Sequence, residues 1–206
     1  MKVTIVILAR DPRSAKTRLR GAIGPAARRR LAIAMFDDVV AAAVATGWAV
    51  LVVTDARSIA TRARSAGAGG IVVAARGTRD GARRGVLAAQ RHGADAVLII
   101  AADVPLVRAG DLRRIATAGR RSDVVIVPDR HRSGTNALYL RPPSRIAPRF
   151  GRRSFAAHRR AAGAAGRVLA IAGLGLDVDT TADLKALGRA MRLAGSRTQA
   201  ALDTDD

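Results

Sequence analysis

The sequence predicts a single α/β domain built on a mostly parallel, doubly wound sheet. Five short apolar runs rich in Val and Ile alternate with longer segments rich in Ala, Arg and Leu. Near-continuous apolar runs of this length are typical of parallel strands that are buried on both faces. Strands that alternate with helices favour a parallel sheet with helices on both sides, and 206 residues suit one domain.

The elements can be placed in order along the chain. The five apolar runs predict strands over residues 2–9, 48–54, 70–74, 96–102 and 123–128. Helices are predicted between them, over about 25–46, 57–66, 80–92 and 109–119. In the first helix Leu31, Met35 and Val39 recur every four residues, so we expect them to face the sheet.

The pattern changes after residue 128. We predict a loop at 129–134, a strand at 136–141, a Pro-rich turn at 142–148, a helix at 154–165 and a strand at 167–172. We interpret this segment as an insertion that forms one wall of a site. The last residues, GSRTQAALDTDD, are polar, and we expect a disordered tail over 195–206.

The composition excludes several classes of protein. Cys is absent, which rules out disulfide frameworks and thiolate metal sites and fits a reducing cytoplasm. The N-terminal stretch MKVTIVILARDPR lacks the cleavage site of a signal peptide. No apolar run approaches the ~20 residues that cross a bilayer. We therefore expect a cytoplasmic protein with no membrane partner, while a homo-oligomer stays possible.

The formal charge of +20 raises the question of nucleic-acid binding. Proteins that bind single strands stack bases on aromatic side chains, and this chain has only five aromatic residues. Its 33 Arg are spread over the whole length, often within Ala-rich helical stretches. Specific nucleic-acid binding is therefore not expected, and the charge instead predicts attraction for anionic ligands such as phosphates and nucleotides.

Ligands of open α/β sheets bind at the carboxyl ends of the strands, where this chain places two notable charges. Lys16, one of three Lys in the chain, follows the first strand within ARDPRSAKTRL and offers a point charge for a phosphate. Asp103 directly follows the fourth strand within AADVPL, where a carboxylate can bind a divalent cation. A surface Lys and a loop or capping Asp are the alternatives for these two residues.

A second pair of carboxylates stands near the end of the chain. Asp177 and Asp179 are two residues apart, so in extended backbone their side chains point to the same face. Like charges repel unless a cation neutralises them, and a hard metal such as Mg²⁺ is the simplest explanation. Thr180 and Asp183 have the spacing of a capping box for a final helix.

The segment RFGRRSFAAH predicts an anion site. Gly151 permits a turn, and Ser154 can cap a helix that starts at residue 155, behind two Arg. A simple helix cap is the alternative. His158 and His131 lack metal-ligand spacing, and we expect both on the surface. Asn136, the only Asn in the chain, stands in SGTNALYL and supplies an amide that both donates and accepts.

Five segments occur in an order that resembles one enzyme family. They are AKTRL, ADVPL, PDRHRSGTNAL, FGRRSFAAH and LDVDTTADL. Together they resemble the guanylyltransferases of coenzyme F-420 biosynthesis, which are related to the molybdenum-cofactor nucleotidyltransferases. The resemblance covers about residues 2–190 and implies a fold of the nucleotide-diphospho-sugar transferase, or glycosyltransferase-A-like, type. It therefore makes residues 1–194 a nucleotidyltransferase domain, with the insertion at about 129–172 forming the acceptor site.

The resemblance also implies a reaction and its metal. GMP from GTP is joined to a phosphorylated three-carbon acid with release of pyrophosphate. The acid is 2-phospholactate, phosphoenolpyruvate or 3-phosphoglycerate, and the resemblance does not choose among them. By position, Asp103, Asp177 and Asp179 match the residues that hold Mg²⁺ in the family.

Further residues match the substrate-binding positions of the family. Thr135, Gly151 and Ser154 match those that hold the phospho-acid, and Asn136 stands beside Thr135. Lys16 fits a triphosphate contact and, with Asp103, a catalytic role. The nucleotide-binding set also includes Arg10, where relatives commonly carry a Lys, and Arg18.

Two alternatives stay open. The first is another enzyme of the same superfamily, either a molybdopterin nucleotidyltransferase or a small sugar-nucleotide glycosyltransferase. The segment ARDPRSAKTRL also resembles the start of such a glycosyltransferase. The GTN and FGRRSF segments argue against both. The second belongs to a different class, a basic nucleic-acid-binding protein without catalytic activity.

Overall fold

The computed structural model describes residues 1–74, 77–191 and 195–204 and has one seven-stranded sheet. The strands are β1 (Val3–Ala9), β2 (Ala49–Thr54), β3 (Gly69–Val72), β4 (Ala96–Ala101), β5 (Val124–Pro128), β6 (Thr135–Leu140) and β7 (Gly166–Val168). Their order across the sheet is β3-β2-β1-β4-β6-β5-β7. All neighbours are parallel except β6, which runs antiparallel to both β4 and β5. The prediction of a mostly parallel sheet is thus confirmed.

Eight helices accompany the strands in the described residues. They are α1 (Pro25–Val44), α2 (Arg57–Ser65), α3 (Thr78–Arg91), α4 (Ala109–Ala118), α5 (Ser154–Ala162), α6 (Ala172–Gly175), α7 (Thr181–Met191) and α8 (Arg197–Asp203). The first four lie within about two residues of their predicted bounds. Three stretches lie outside the described residues. They are residues 75–76, which follow the predicted third strand, residues 192–194 at the predicted domain boundary, and the final residues 205–206.

The core has two layers, one on each face of the sheet. Ile5 and Ile7 of β1 pack with side chains of α1, α2, α4 and α6, while Val6 between them packs with α3 and α5 on the opposite face. Side chains alternate in this way along a strand because successive Cβ atoms point to opposite faces. Helices on both faces make the sheet doubly wound, as predicted.

Two of the three α1 residues that were expected to face the sheet pack elsewhere. Val39 packs on the sheet, as predicted, but Leu31 and Met35 pack with Leu19 and Val178 in a separate cluster. The first turns of α1 extend past the edge of the sheet layer and cover the loop that follows β1. This third cluster lies directly behind the strand ends, where a site is expected.

The prediction of a disordered tail is wrong for residues 197–203, which form α8 and pack on α1. Asp38 of α1 accepts hydrogen bonds from the backbone N–H groups of Arg197 and Thr198, and Thr198 is fully buried. Leu202 packs against the third cluster. In the described part of the chain, no helix is both long and apolar enough to cross a bilayer.

Candidate active site

The loop after β1 places a buried ammonium group at the edge of the sheet. Lys16 has left-handed backbone (φ 56°) and precedes a short 3-10 helix, Thr17–Leu19. Leu19 is fully buried in the third cluster and anchors this turn. The Lys16 side chain is only 7% exposed, and its Nζ lies 2.6 Å from Asp103 Oδ2 and 3.0 Å from Asp179 Oδ1. The sequence predicts a phosphate contact for Lys16 and metal binding for the two Asp, and the structure pairs these groups with each other.

The two carboxylates decide the charge state of Lys16. Burial acts to lower its pKa, but the negative charges of Asp103 and Asp179 and the hydrogen bonds to them raise it above the ordinary value. Lys16 is therefore a cation at neutral pH despite its burial. Its charge is shared between the two carboxylates.

The segment that carries the paired carboxylates is fastened to the end of β4. The backbone N–H of Val178 donates to the carbonyl oxygen of Asp103 at 3.2 Å, and the Val178 side chain is fully buried in the third cluster. Asp177 and Asp179 stand on either side of Val178 in a stretch without regular secondary structure, so the buried Val178 side chain holds both at this position. Three carboxylates from two distant segments thus come together at one sheet edge.

The surroundings of Asp177 disfavour its ionised form. Burial and the nearby charge of Asp103 raise its pKa, with a smaller contribution from Asp179, and the hydrogen bond from Asn136 only partly opposes them. A group in this state gains from a nearby cation. Lys16 is bonded to Asp103 and Asp179 but forms no hydrogen bond to Asp177 among the described residues.

The donor set fits a hard metal in its chemistry. Carboxylate oxygens are the ligands that Mg²⁺ prefers in proteins. In the arrangement of the described residues, however, no group of three His or Asp side chains is placed to hold a metal ion. The Lys16 ammonium supplies the positive charge between two of the carboxylates.

A cleft of about 420 Å³ opens over this cluster. Its lining includes Lys16, Asp103 and Asp179 together with Arg10 and Arg18, whose side chains are largely exposed. The carboxyl ends of the parallel strands β1 and β4 form its floor, as the strand-end rule predicts. The cleft therefore has the charges that a polyanionic ligand needs.

A smaller cavity adjoins the cleft at the ends of β1, β2 and β3. It is lined by Arg10, which it shares with the larger cleft, and by Thr54, Asp55 and Thr78. Asp55 is held in place by the backbone N–H of Asp11, which donates to its Oδ1 at 2.6 Å. The sequence analysis assigned no role to Asp55 or Thr78, because neither belongs to a recognisable motif.

Asp129, another residue that the sequence analysis did not assign, organises the loop before β6. Its carboxylate accepts hydrogen bonds from the backbone N–H groups of Ser133 and Gly134 and from the Ser133 hydroxyl. Burial opposes ionisation, but these bonds lower the pKa of Asp129 below its usual range. A Cβ on Gly134 would lie 2.8 Å from Asp129 Oδ2, so the loop needs Gly at this position. The loop thereby fixes the start of β6 at Thr135.

Thr135 is joined to a buried histidine. Its Oγ1 lies 3.0 Å from His158 Nδ1, and the backbone N–H of Arg149 donates to His158 Nε2 at 2.7 Å. His158 is fully buried, so the expectation that it lies on the surface is wrong. Its ring also packs edge-on against Phe150, with centroids 5.2 Å apart. Burial and the charge of Arg149 lower the pKa of His158 to about 4.

Asn136 connects β6 to the carboxylate cluster. Its Nδ2 donates to the carbonyl oxygen of Leu174 at 2.8 Å and to Asp177 Oδ1 at 3.3 Å. The residue is 4% exposed. An amide can stabilise the Asp177 carboxylate without adding charge, which an Arg or Asp in its place could not do. The sole Asn of the chain thus supports one of the predicted metal ligands.

The segment after Phe150 builds the start of α5. Gly151 has φ +118°, a conformation that side chains disfavour, and Arg153 is left-handed at the N-cap position. The prediction that Ser154 caps the helix is wrong by one residue, because Ser154 is itself the first helical residue and makes no capping bond. The backbone N–H of Phe155 donates to the carbonyl oxygen of Ser133 at 3.3 Å. This bond brings the start of α5 to the loop that precedes Thr135.

The predicted site residues therefore fall into two adjoining groups. Lys16, Asp103 and Asp179 line the cleft, whereas Thr135 and Ser154 are 5% and 2% exposed and lie outside its lining. Phe150 lines the cleft and contacts His158 behind it, so it stands between the two groups. Asn136 forms the second link through Asp177.

Solved structures with the same fold are nucleotide-handling enzymes. A nucleotidyl transferase from Methanothermobacter thermautotrophicus superposes with a TM-score of 0.70 at 17% identity, covering 99% of both chains. A candidate nucleotide-diphospho-sugar transferase from Desulfovibrio desulfuricans superposes with a TM-score of 0.80 at 17% identity, covering 100% of this chain and 96% of the other. These likenesses establish the fold. With the charged cleft at the strand ends and the sequence relatives below, they place this chain among the nucleotidyltransferases.

The family follows from the sequence comparisons. The model of the family described as "Guanylyl transferase CofC like" matches residues 1–200. The phosphoenolpyruvate guanylyltransferase of Sphaerobacter thermophilus is 37% identical over 179 residues, which are 84% of this chain and 86% of the relative. That of Rubrobacter xylanophilus is 36% identical over 192 residues, 91% of this chain and 94% of the relative. The chain belongs to the Guanylyl transferase CofC like family, which confirms the resemblance found in the sequence.

Proposed function

We propose that this enzyme transfers GMP from GTP to phosphoenolpyruvate with release of pyrophosphate, as a step in coenzyme F-420 biosynthesis. Membership of the guanylyl transferase family is the observation that carries the proposal. Relatives that share more than a third of their residues with most of this chain are named phosphoenolpyruvate guanylyltransferases. Their names favour phosphoenolpyruvate over 2-phospholactate and 3-phosphoglycerate, the other two acids implied by the sequence motifs.

The reaction asks the protein for positioning and charge neutralisation. A phosphate oxygen of the acceptor attacks the α-phosphorus of GTP, and the bond from that phosphorus to the oxygen of the leaving pyrophosphate breaks. The attacking oxygen is already anionic, so no general base is needed. In such transfers most of the rate enhancement comes from holding the reactants in line and offsetting their negative charge.

The cleft over Lys16 is the proposed GTP site. Lys16 would contact the triphosphate and offset charge on the leaving pyrophosphate, with Arg10 and Arg18 at the rim adding attraction for the polyanion. The small cavity lined by Thr54, Asp55 and Thr78 adjoins this cleft at Arg10, which suits it to the nucleoside end of the ligand. A bound triphosphate would compete with the two carboxylates for the Lys16 ammonium.

Asp103, Asp177 and Asp179 would hold Mg²⁺. A bound ion would supply positive charge that offsets the negative charge of the two phosphates. The three carboxylates form the donor set, and Asn136 holds Asp177 in place through its Nδ2. Since Lys16 is now bonded to two of them, metal binding would free its ammonium for the triphosphate.

The acceptor would bind where β6 and α5 begin. The hydroxyls of Thr135 and Ser154 and the backbone around Gly151 would donate to its phosphate. Hydrogen bonds to a charged group are worth ~1.5–3 kcal/mol each, which is enough to place a small anion. The Asp129-held loop and the bond from Phe155 to Ser133 keep these groups together.

Product analysis tests the proposal directly. The purified protein is incubated with Mg²⁺ and each of GTP, ATP, CTP and UTP. Each mixture also receives one of the three phospho-acids, a sugar phosphate or a molybdopterin, and products are identified by mass. We expect a guanylylated phosphoenolpyruvate and an equal amount of pyrophosphate, with GTP as the preferred donor. A product formed from a sugar phosphate or a molybdopterin instead would favour the other enzymes of the superfamily. No product in any mixture, combined with salt-resistant binding of DNA or RNA, would favour the nucleic-acid-binding alternative.

A further inference from the structure

His158 forms the centre of a short hydrogen-bonded chain behind the proposed acceptor site. The backbone N–H of Arg149 donates to its Nε2 at 2.7 Å, and its Nδ1 lies 3.0 Å from Thr135 Oγ1. The sequence motifs assign no task to His158, and the proposed reaction does not use it. It is nevertheless the most deeply buried of the three His, with no exposed surface.

The direction of both hydrogen bonds follows from the chemistry of the groups. A backbone N–H can only donate, so His158 Nε2 must accept and cannot carry a proton. A neutral imidazole then carries its proton on Nδ1, which must donate to the Thr135 oxygen. An imidazolium would point an Nε2 proton at the N–H of Arg149. One ring state therefore satisfies both neighbours.

The surroundings of the ring favour the same neutral state. Burial and the positive charge of Arg149 lower the pKa of His158 to about 4, so the ring is neutral at physiological pH. The edge-on contact with Phe150 adds an apolar wall and fixes the plane of the ring. The ring therefore presents an Nδ1–H group to Thr135 as a fixed donor.

This fixed donor determines what the Thr135 hydroxyl can do. The Thr135 oxygen accepts from His158, which is its only hydrogen-bond partner among the described residues. Among the described residues the hydroxyl hydrogen is then left without an acceptor. We infer that His158 is a positioning residue, which holds the Thr135 hydroxyl as a hydrogen-bond donor for the phosphate of the acceptor. A site that receives an anion gains from a hydroxyl that cannot turn its lone pairs toward it.

The inference rests on the proposed function, and it also explains why a His stands at position 158. A hydroxyl rotates to suit its neighbours unless one of them fixes its role. His158 supplies a donor on one side and an acceptor on the other, so its two ends must be distinguished. Gln and Asn each replace one end of the ring. The amide of a Gln side chain reaches about as far as Nε2, and the amide of an Asn side chain about as far as Nδ1.

A pair of substitutions separates the positioning role from simple packing. His158→Asn can keep a donor near Thr135, while His158→Gln can keep the acceptor for Arg149 and removes the donor. We expect His158→Gln to raise the KM for the acceptor about tenfold, as for the loss of one bond to a charged group, with little change in the KM for GTP. His158→Asn should recover a large part of that loss. His92→Gln, at an exposed helix end, is the matched control and should change neither constant.

A double-mutant cycle with Thr135→Val tests whether His158 acts through Thr135. Once the hydroxyl is removed, His158→Gln should have no further effect on the KM for the acceptor. Independent losses that multiply in the double variant, or equal losses from the Gln and Asn variants, would show that the ring only fills space. Each variant is checked by its thermal unfolding, so that misfolded protein is not scored as a loss of binding.

The wild-type enzyme provides a test that needs no turnover. Nitrogen-15 shifts of the imidazole show which ring nitrogen carries the proton, and the His158→Asn variant assigns the signal among three His. We expect His158 to be protonated on Nδ1 across neutral pH. A proton on Nε2 would overturn the inference. If the wild-type enzyme made no product from GTP and phosphoenolpyruvate while this protonation state was observed, the proposed function would fail and the ring assignment would stand.

Discussion

The ammonium of Lys16 bridges the carboxylates of Asp103 and Asp179, at 2.6 and 3.0 Å. Along the chain, Asp103 is 87 positions and Asp179 is 163 positions away from Lys16. The third carboxylate, Asp177, is bonded to the Asn136 amide, and its pKa is raised by burial and by the charge of Asp103. Three carboxyl groups thus stand near one ammonium group, and the proposed Mg²⁺ would offset the negative charge of the carboxylates.

Neutralising any one of the three carboxylates should abolish turnover. We expect Asp103→Asn, Asp177→Asn and Asp179→Asn each to lower kcat by at least about a hundredfold, since each removes a proposed metal ligand. Folding should be retained, because Asn has nearly the same shape. The rates are measured at saturating Mg²⁺ with GTP and phosphoenolpyruvate.

Stability gives this experiment a second readout. The raised pKa of Asp177 means that the folded protein disfavours its ionised form, so Asp177→Asn should increase the free energy of unfolding at neutral pH. Asp80→Asn, at a carboxylate bonded to Arg84 on the surface of α3, is the control for activity. A near-wild-type rate in any of the three cluster variants would exclude that residue from the metal site.

Removing the Lys16 ammonium should affect GTP more than the acceptor. Lys16→Met keeps the length of the side chain but leaves Asp103 and Asp179 without their shared cation. We expect the KM for GTP to rise and kcat to fall, while the KM for phosphoenolpyruvate stays within about threefold, a difference of under 1 kcal/mol. Arg18→Met, at the exposed rim of the cleft, should have a smaller effect on GTP. An increase confined to the acceptor KM would contradict the assignment.

The sheet could be predicted from the sequence because its central strands are buried on both faces. The apolar runs at β1 and β4 locate those strands to within one or two residues, and the doubly wound order follows from the alternation. The role of Leu31 and Met35 could not be predicted in this way. Helical spacing shows that they share a face, but not whether the sheet or the loop carrying Leu19 covers that face.

Helix α8 could not be predicted from the sequence for the same reason, because contacts in the folded protein decide its structure. The sequence from 195 onward is short and mostly polar, and its local support for a helix includes the cap in which Ser196 accepts from the backbone N–H of Gln199. The helix is stabilised by contacts from far along the chain, including the capping by Asp38 and the packing of Leu202 on the third cluster. Propensity is a weak guide where such tertiary contacts decide.

The candidate site divides along similar lines. Lys16 and Asp103 are conspicuous because they follow parallel strands, whose ends meet at one edge of the sheet. Asp177 and Asp179, which lie between α6 and α7, are conspicuous through their two-residue spacing. The roles of His158 and Asp129 could not be predicted, although both stand in the segments that resemble the family, because burial and hydrogen-bond partners in the folded protein decide them. The buried state of His158 is set by a backbone N–H at Arg149 and a hydroxyl 23 residues away.

The acceptor pocket can be tested through the hydroxyls of Thr135 and Ser154. Thr135→Val keeps the shape of the side chain and removes the donor, so the KM for the acceptor should rise roughly ten- to hundredfold, with GTP use nearly unchanged. Ser154→Ala should have a milder effect if backbone N–H groups carry most of the phosphate contact. A crystal soaked with phosphoenolpyruvate should show its phosphate within hydrogen-bond distance of both hydroxyls.

Gly151 should be sensitive for conformational reasons. A Cβ there would meet nothing within 4 Å, but its φ of +118° is strained for any other residue. Gly151→Ala should therefore be nearly as harmful as Gly151→Val, at about 1–3 kcal/mol of stability or an equivalent loss of acceptor binding. Gly110→Ala, at an open position with ordinary backbone in α4, is the matched control. A much milder effect of Ala than of Val at residue 151 would mean that space is the constraint.

His158 should make stability depend on pH in mild acid. Its pKa is about 4 in the folded protein, against 6.5 for the ordinary group, so the unfolded chain binds more protons between these values. Stability from this residue is present above about pH 6.5 and is lost as the pH falls toward 4. A difference of this size corresponds to about 3 kcal/mol. Urea unfolding at several pH values should show this loss in the wild type and a smaller one in His158→Gln, and equal slopes for the two proteins would contradict it.

The docking of α8 should depend on Asp38. Its carboxylate accepts from the N–H groups of Arg197 and Thr198 and from the Thr198 hydroxyl, so it caps the start of this helix. Asp38→Ala should cost about 1 kcal/mol, the usual effect of losing such a cap, and should speed amide exchange within 197–203. Thr198→Val should add little in the double variant, because both changes remove the same bond.

The position of α8 predicts that loosening this helix also affects the turn that carries Lys16. Leu202 packs on the cluster that contains Leu19, which anchors the turn carrying Lys16. Loosening α8 should therefore also speed amide exchange at Thr17–Leu19 and weaken GTP use, while leaving the KM for the acceptor unchanged. Asp37→Ala, which removes the neighbouring pair with Arg62 on α2, is the matched control. If Asp37→Ala and Asp38→Ala weakened GTP use equally, the connection from α8 to the Lys16 turn would be refuted.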